Sequence, residues 1–197
     1  MKVVAVSQRV DILKGRDETR DALDQRLVMF IAASGNLVVP IPNKLQETNN
    51  VRAWFTAIKP SAIVLSGGNS IGEVTTRDQT ESRLLDYAHD NELPVLGICR
   101  GMQMMAHWAG TSLHSVEGHV QTRHQLTGQI ITDVNSFHDF SLANCPYGFE
   151  VLANSEDGEI EAIRHLSLPW EGWMWHPERE ENFSDQDLER FKGLMSE

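Results

Sequence analysis

Apolar positions recur along the chain with two different periods. Val3–Ser7, Asn36–Ile41, Ala62–Leu65 and Pro94-Val95-Leu96-Gly97-Ile98 are short unbroken runs that predict buried strands. Between them the spacing becomes helical. Asp17 to Ser34 predicts a helix: acidic residues open it, Ala22, Leu23, Arg26, Leu27, Phe30 and Ile31 recur at helical spacing, and Gly35 stops it. Val51–Ile58, Gln79 to Asp90 and Met102–Trp108 predict further helices, with Leu84, Leu85 and Ala88 on the inner face of the second of these. After Gly110 the texture changes. Thr111–Gly128 is polar, while Gln129–Asp139, Phe149–Asn154, Ile160–Arg164 and Gly172–His176 read as strands. Ser184-Asp185-Gln186-Asp187 resembles a capping box and opens a last helix to Met195.

Strands alternating with helices up to Gly110 imply right-handed crossovers and an α/β fold. The expectation is a mainly parallel central sheet flanked by helices on both faces, with added antiparallel strands in the C-terminal half. Functional residues should gather at the carboxyl ends of the strands, where residues 7–9, 67–70 and 99 fall. No repeat, linker or low-complexity tract interrupts the 197 residues, which predicts a single domain over 1–197.

Composition narrows the partners. No stretch reaches the roughly 18 apolar residues of a membrane helix, and Met1-Lys2-Val3-Val4-Ala5-Val6 is too short a run for a signal peptide. A cytoplasmic protein is expected, and its two cysteines, 99 and 145, suit a reducing compartment. A net charge of −11 argues against nucleic acid and anionic membrane. It leaves room for a small anionic substrate held by a few arginines.

Cys99 has Gly97 and Gly101 at two residues on either side, between a strand and a helix, the pattern of a nucleophile elbow. The helix after it would turn free N–H groups toward the sulfur and favour the thiolate. Taken alone, the same cysteine reads equally well as a small buried hydrophobe. Trp173-Met174-Trp175-His176-Pro177-Glu178 ends an apolar stretch with an imidazole and a carboxylate two residues apart, which extended backbone turns the same way. Glu178 can then orient His176, and His176 can serve a thiol. His114, His119 and His124 are spaced by five, which fits neither a helix face nor a strand face. No metal is expected, and these histidines and Arg123 are assigned to the mouth of a pocket. Arg77-Asp78-x-x-Glu81 reads as an ion cluster.

The Gly67-Gly68 turn, Gly97-Ile98-Cys99-Arg100-Gly101-Met102-Gln103 and His176-Pro177-Glu178, in that order, resemble the class I glutamine amidotransferase superfamily. With Arg77-Asp78-x-x-Glu81, Gly-Ile-Cys-Arg-Gly is similar to its γ-glutamyl hydrolase branch. The resemblance implies a flavodoxin-like fold, no cofactor, and cysteine-dependent cleavage of a γ-glutamyl amide. It assigns Cys99, His176 and Glu178 to catalysis, the amides of Gly68 and Arg100 to the oxyanion hole, and Gln103, Ser136 and His138 to the substrate. Arg77 and Glu81 would support the site.

Ser7-Gln8-Arg9-Val10 and Arg20-Asp21-Ala22-Leu23-Asp24-Gln25 resemble a subgroup that cleaves γ-glutamyl-CDP-amidate in surface-polysaccharide phosphoramidate synthesis. Arg9, Arg16 and Arg20 would then meet a phosphate, although solvated charge explains Arg16 and Arg20 equally well. The alternative is a glutaminase subunit that passes ammonia to a separate synthetase. A homodimer is equally compatible with the sequence. A non-catalytic relative is disfavoured by His176-Pro177-Glu178, and an α/β-hydrolase by the order of its acid and histidine.

Overall fold

A computed structural model describes residues 1–48 and 51–196. Its strands are β1 (Val3–Val6), β2 (Arg9–Leu13), β3 (Glu18–Ala22), β4 (Leu37–Pro40), β5 (Ala62–Leu65), β6 (Val95–Ile98) and β7 (Leu113–Ser115), followed by β8 (Val120–Gln125), β9 (Thr127–Gly128), β10 (Asp133–Phe137), β11 (Phe140–Leu142), β12 (Phe149–Asn154), β13 (Ile160–His165) and β14 (Trp170–Trp173). The α-helices are α1 (Gln25–Ala33), α2 (Val51–Ile58), α3 (Thr75–Asp90), α4 (Arg100–Trp108) and α5 (Asp185–Leu194).

Among the described residues, eight strands form the main sheet in the order β4-β1-β5-β6-β14-β13-β12-β9. The contacts from β4 through β14 are parallel, and those from β14 to β9 antiparallel. Side-chain alternation splits the core between the two faces. Val4, Val6, Val64, Leu96 and Ile98 pack with α1 and α5 residues such as Phe30 and Phe191. Ala5, Ile63, Leu65 and Val95 face the other way, against Phe55 of α2, Leu84 and Leu85 of α3 and Met105 of α4. The mainly parallel α/β sheet with helices on both faces and added antiparallel strands is as expected.

The helix expected from Asp17 to Ser34 is shorter. Glu18–Ala22 is a strand, paired antiparallel with Arg9–Leu13, and α1 begins only at Gln25. Asp17 adopts φ 48°, which ends the preceding turn and redirects the chain. Asp24 then caps α1 by accepting from Arg26 N at 2.9 Å. The polar stretch after Gly110 also forms structure: β8 pairs with β10, and β7 with β11. β7 and β8 are largely exposed, so no apolar alternation marks them. Ser184 caps α5 by accepting from Asp187 N, in agreement with the sequence.

Candidate active site

Cys99 follows β6 with φ 52° and ψ −107°, a strained conformation for a residue with a Cβ, and α4 starts at the next residue. Such a turn needs close approach on both sides. A Cβ on Gly101 would sit 2.1 Å from Leu65 O, and one on Gly97 would sit 2.6 Å from the Gly101 carbonyl carbon. The first-turn amides of α4, including Arg100 N, have no intrahelical acceptor by helix geometry. Cys99 N donates to Trp173 O at 2.7 Å, so β14 runs in register with β6 and delivers the following segment to the same end of the sheet.

That segment carries His176. Asn135 holds its backbone from both sides, with His176 N donating to Oδ1 at 3.0 Å and Nδ2 donating to His176 O at 2.8 Å. Glu178 Oε1 lies 2.7 Å from His176 Nδ1, and Cys99 is near enough for its sulfur to act on the charge of the imidazole. All three side chains are buried. Burial alone would lower the imidazole pKa. The Cys99 sulfur and the Glu178 carboxylate outweigh it and raise His176 to about 9. Phe137 packs edge-on against the ring at 5.9 Å, and the Arg179 guanidinium covers Phe137 at 4.4 Å.

Beyond β5, Arg77 takes the carbonyl oxygens of Ser66 (2.6 Å), Gly67 (3.0 Å) and Gly68, while its Nε donates to Glu81 at 3.0 Å. Gly68 has φ +85°. Glu81 also accepts from Ser7 Oγ at 2.7 Å and pairs with Arg100, which pairs in turn with Asp78. Burial lowers the guanidinium pKa of Arg77 to about 10 and that of Arg100 to about 9. The Arg77-Asp78-x-x-Glu81 motif therefore ties the glycine turn to the residue after Cys99.

A cavity of about 270 Å³ opens at this end of the sheet, lined by Arg9, Leu23, Gly67, Gly68, His176 and Glu178 among others. Asn69 bonds Val10 N and Val10 O at 2.8 and 3.1 Å, fixing the β2–β3 hairpin, and with it Arg9, against the glycine turn. Arg20 pairs with Glu18 at 2.8 Å, and neither it nor Arg16 lines the cavity.

The other expected substrate residues are turned elsewhere. Gln103 Nε2 donates to Phe140 O at 2.9 Å. Ser136 Oγ donates to His119 O at 2.7 Å, and His138 is buried beside His119 and Glu161. Neither Ser136 nor His138 lines the cavity. The histidines assigned to the pocket mouth are not there: His114 bonds Glu159, His119 is buried, and Arg123 pairs with Asp133 and Glu180. His114 belongs to the β7–β11 ribbon, and His119, Arg123 and His124 lie at the start of β8 or within it. Asn135, which holds His176, lies in a segment the sequence marked, but only its partner at position 176 reveals its role.

The glutamine amidotransferase class-I family profile matches residues 22–192. The chain is 31% identical over 143 residues to the γ-glutamyl-CDP-amidate hydrolase of Campylobacter jejuni, covering 69% of this chain and 72% of that one. It is 30% identical over 154 residues to the glutamine-hydrolysing GMP synthase subunit of Thermococcus kodakarensis, covering 72% and 74%. GMP synthases of Legionella pneumophila match at 28% identity, and there the chain spans only 26% of their length. Among solved structures, a candidate GMP synthase subunit from Thermoplasma acidophilum superposes with a TM-score of 0.75 at 20% identity, covering 100% of this chain and 95% of the other. No described helix is long and apolar enough to cross a membrane.

Proposed function

Since the chain belongs to the class I glutamine amidotransferase family, we propose that it hydrolyses a γ-glutamyl amide through Cys99 and releases glutamate. One observation supports this reading: His176, bonded to Glu178, lies close to Cys99 at the start of α4. The Cys99 thiolate attacks the γ-carbonyl carbon. The amides of Gly68 and Arg100 receive the oxyanion, and His176, oriented by Glu178, gives its proton to the departing nitrogen. The resulting thioester is cleaved by water, which loses its proton to the same imidazole. Gln103 is assigned to the glutamyl end of the substrate, while Ser136 and His138 keep the contacts they make beside His119 and Glu161.

The substrate proposed is γ-glutamyl-CDP-amidate. Similarity to the Campylobacter hydrolase supports it, as does Arg9, a half-exposed guanidinium on the cavity wall that can meet a phosphate. Cleavage of that compound would serve surface-polysaccharide phosphoramidate synthesis in the cytoplasm. The second reading, favoured by similarity to the Thermococcus GMP synthase subunit, is a glutaminase that hands ammonia to a synthetase partner.

Glutamate release from glutamine, γ-glutamyl amines and γ-glutamyl-CDP-amidate by the protein alone separates the two. Turnover of the CDP-amidate without a partner supports the hydrolase. Turnover of plain glutamine only after a synthetase is added supports the ammonia-delivering role. Release from none of them under either condition contradicts both.

A further inference from the structure

Beneath the β8–β10 ribbon, away from Cys99, four side chains converge. His119, His124, His138 and Glu161 each bring one ring nitrogen or carboxylate oxygen to within 4.8 Å of the other three. His119, His138 and Glu161 are buried, and His124 is half-buried. They come from β8 and its start, from the loop after β10 and from β13, which explains why the sequence spacing of the histidines was silent.

The outward-facing nitrogens fix what points inward. His119 Nε2 lies 2.9 Å from Asp157 Oδ2, and His138 Nδ1 lies 3.1 Å from Phe140 O. A carboxylate and a carbonyl only accept, so both rings donate outward and each turns a lone pair into the cluster. There, His119 Nδ1 lies 3.3 Å from His138 Nε2, and Glu161 Oε1 lies 3.6 Å and 3.3 Å from them respectively. Three acceptors this close need a cation among them. A single proton could link one or two of them, but His124 Nε2 and Glu161 Oε2 would still be buried without a hydrogen-bond partner.

We propose that His119, His124, His138 and Glu161 bind a zinc ion. Tetrahedral zinc with bonds of about 2.0–2.1 Å has ligand–ligand edges of about 3.3–3.4 Å, close to the three distances above. Nitrogen-rich donors with one carboxylate suit zinc better than calcium or magnesium. Asp157 and the Phe140 carbonyl stand where second partners of metal-bound histidines stand. Four protein ligands close the coordination shell, so the ion is structural. It ties the β8–β10 ribbon to β13, and with it Asn135, which holds His176, and Phe140, whose carbonyl receives Gln103.

The test uses Cys99→Ala protein, so that the thiol contributes no binding, stripped with a chelator and titrated with Zn²⁺ or Co²⁺. The expected result is a single ion per chain by elemental analysis, a rise in melting temperature on adding Zn²⁺, and the intense visible absorption of tetrahedral Co²⁺. Asp157→Asn keeps all four ligands and should weaken binding about 10–100-fold. His124→Ala should remove the tetrahedral Co²⁺ signal. Sub-stoichiometric metal with an unchanged melting temperature overturns the proposal, as does a Co²⁺ signal indifferent to His124→Ala. Should that variant not fold, the titration of the Cys99→Ala chain decides. These readouts do not depend on the proposed hydrolysis.

Discussion

Gly67 and His176 touch so closely that a Cβ on the glycine would meet His176 Cε1 at 2.7 Å. The turn after β5 and the imidazole after β14 therefore fit only because position 67 carries no side chain. Gly67→Ala should push the ring away from Cys99 and lower turnover on the order of 100-fold, since a shift of about 1 Å can cost that much. Steady-state kinetics beside a thermal melt checks this, with the melting temperature nearly unchanged.

The His176 pKa of about 9 sets an alkaline limit. Turnover should hold to about pH 9 and fall above it, as His176 loses the proton needed by the leaving nitrogen. The folded pKa lies above the unfolded value of about 6.5, so the associated stability is fully present below pH 6.5 and disappears as pH rises through 9. In Cys99→Ala the sulfur's raising effect is gone and burial lowers the ring pKa. NMR titration of His176 should show a clear drop, and the alkaline loss of stability should shrink with it.

Arg77 is wholly buried and holds three carbonyls and Glu81. Arg77→Ala leaves those acceptors without their donor and should cost about 3–5 kcal/mol, read by denaturant unfolding. Where the variant remains folded, kcat should fall more than KM rises, because the displaced glycine turn serves the transition state.

Asp187 is buried at the start of α5 under Trp175, and burial raises its pKa to about 6. Above pH 6 the folded chain carries this charge at a cost; between about pH 6 and 4 it takes up a proton before the unfolded chain does and is stabilised. Asp187→Asn keeps an acceptor for Trp175 Nε1. It should raise stability by about 1 kcal/mol at pH 8, the helix N-terminus offsetting part of the gain, and by almost nothing at pH 4. Denaturant unfolding at the two pH values checks it.

The parallel half of the fold was legible because its strands are buried on both faces and therefore read as apolar runs: Ala62–Leu65 and Val95–Ile98 have no solvent side to interrupt them. The β2–β3 hairpin was not, because most of its residues are exposed and Asp17, Glu18 and Asp21 resemble the acidic opening of a helix. Cys99, His176 and Glu178 stood out through glycine spacing and through an i, i+2 pair, both local signals. The Arg77 clamp was only half visible: its pairing with Glu81 is written at four residues, but its grip on carbonyls 66 to 68 depends on the β5–α3 crossover. The four-residue cluster at His119 was invisible for the same reason, since the β8–β10 register and β13 bring it together.

The account depends most on Cys99 being the sulfur that meets a γ-glutamyl carbon. A diazoketone analogue of glutamine, followed by peptide mass spectrometry, tests this directly. Cys145 supplies the internal control, a half-buried thiol whose pKa burial raises and whose Sγ lies 3.3 Å from Phe149 O. The predicted result is one adduct on the peptide carrying Cys99, none on Cys145, and loss of labelling in His176→Ala. An unlabelled Cys99, or labelling shared equally with Cys145, would contradict it.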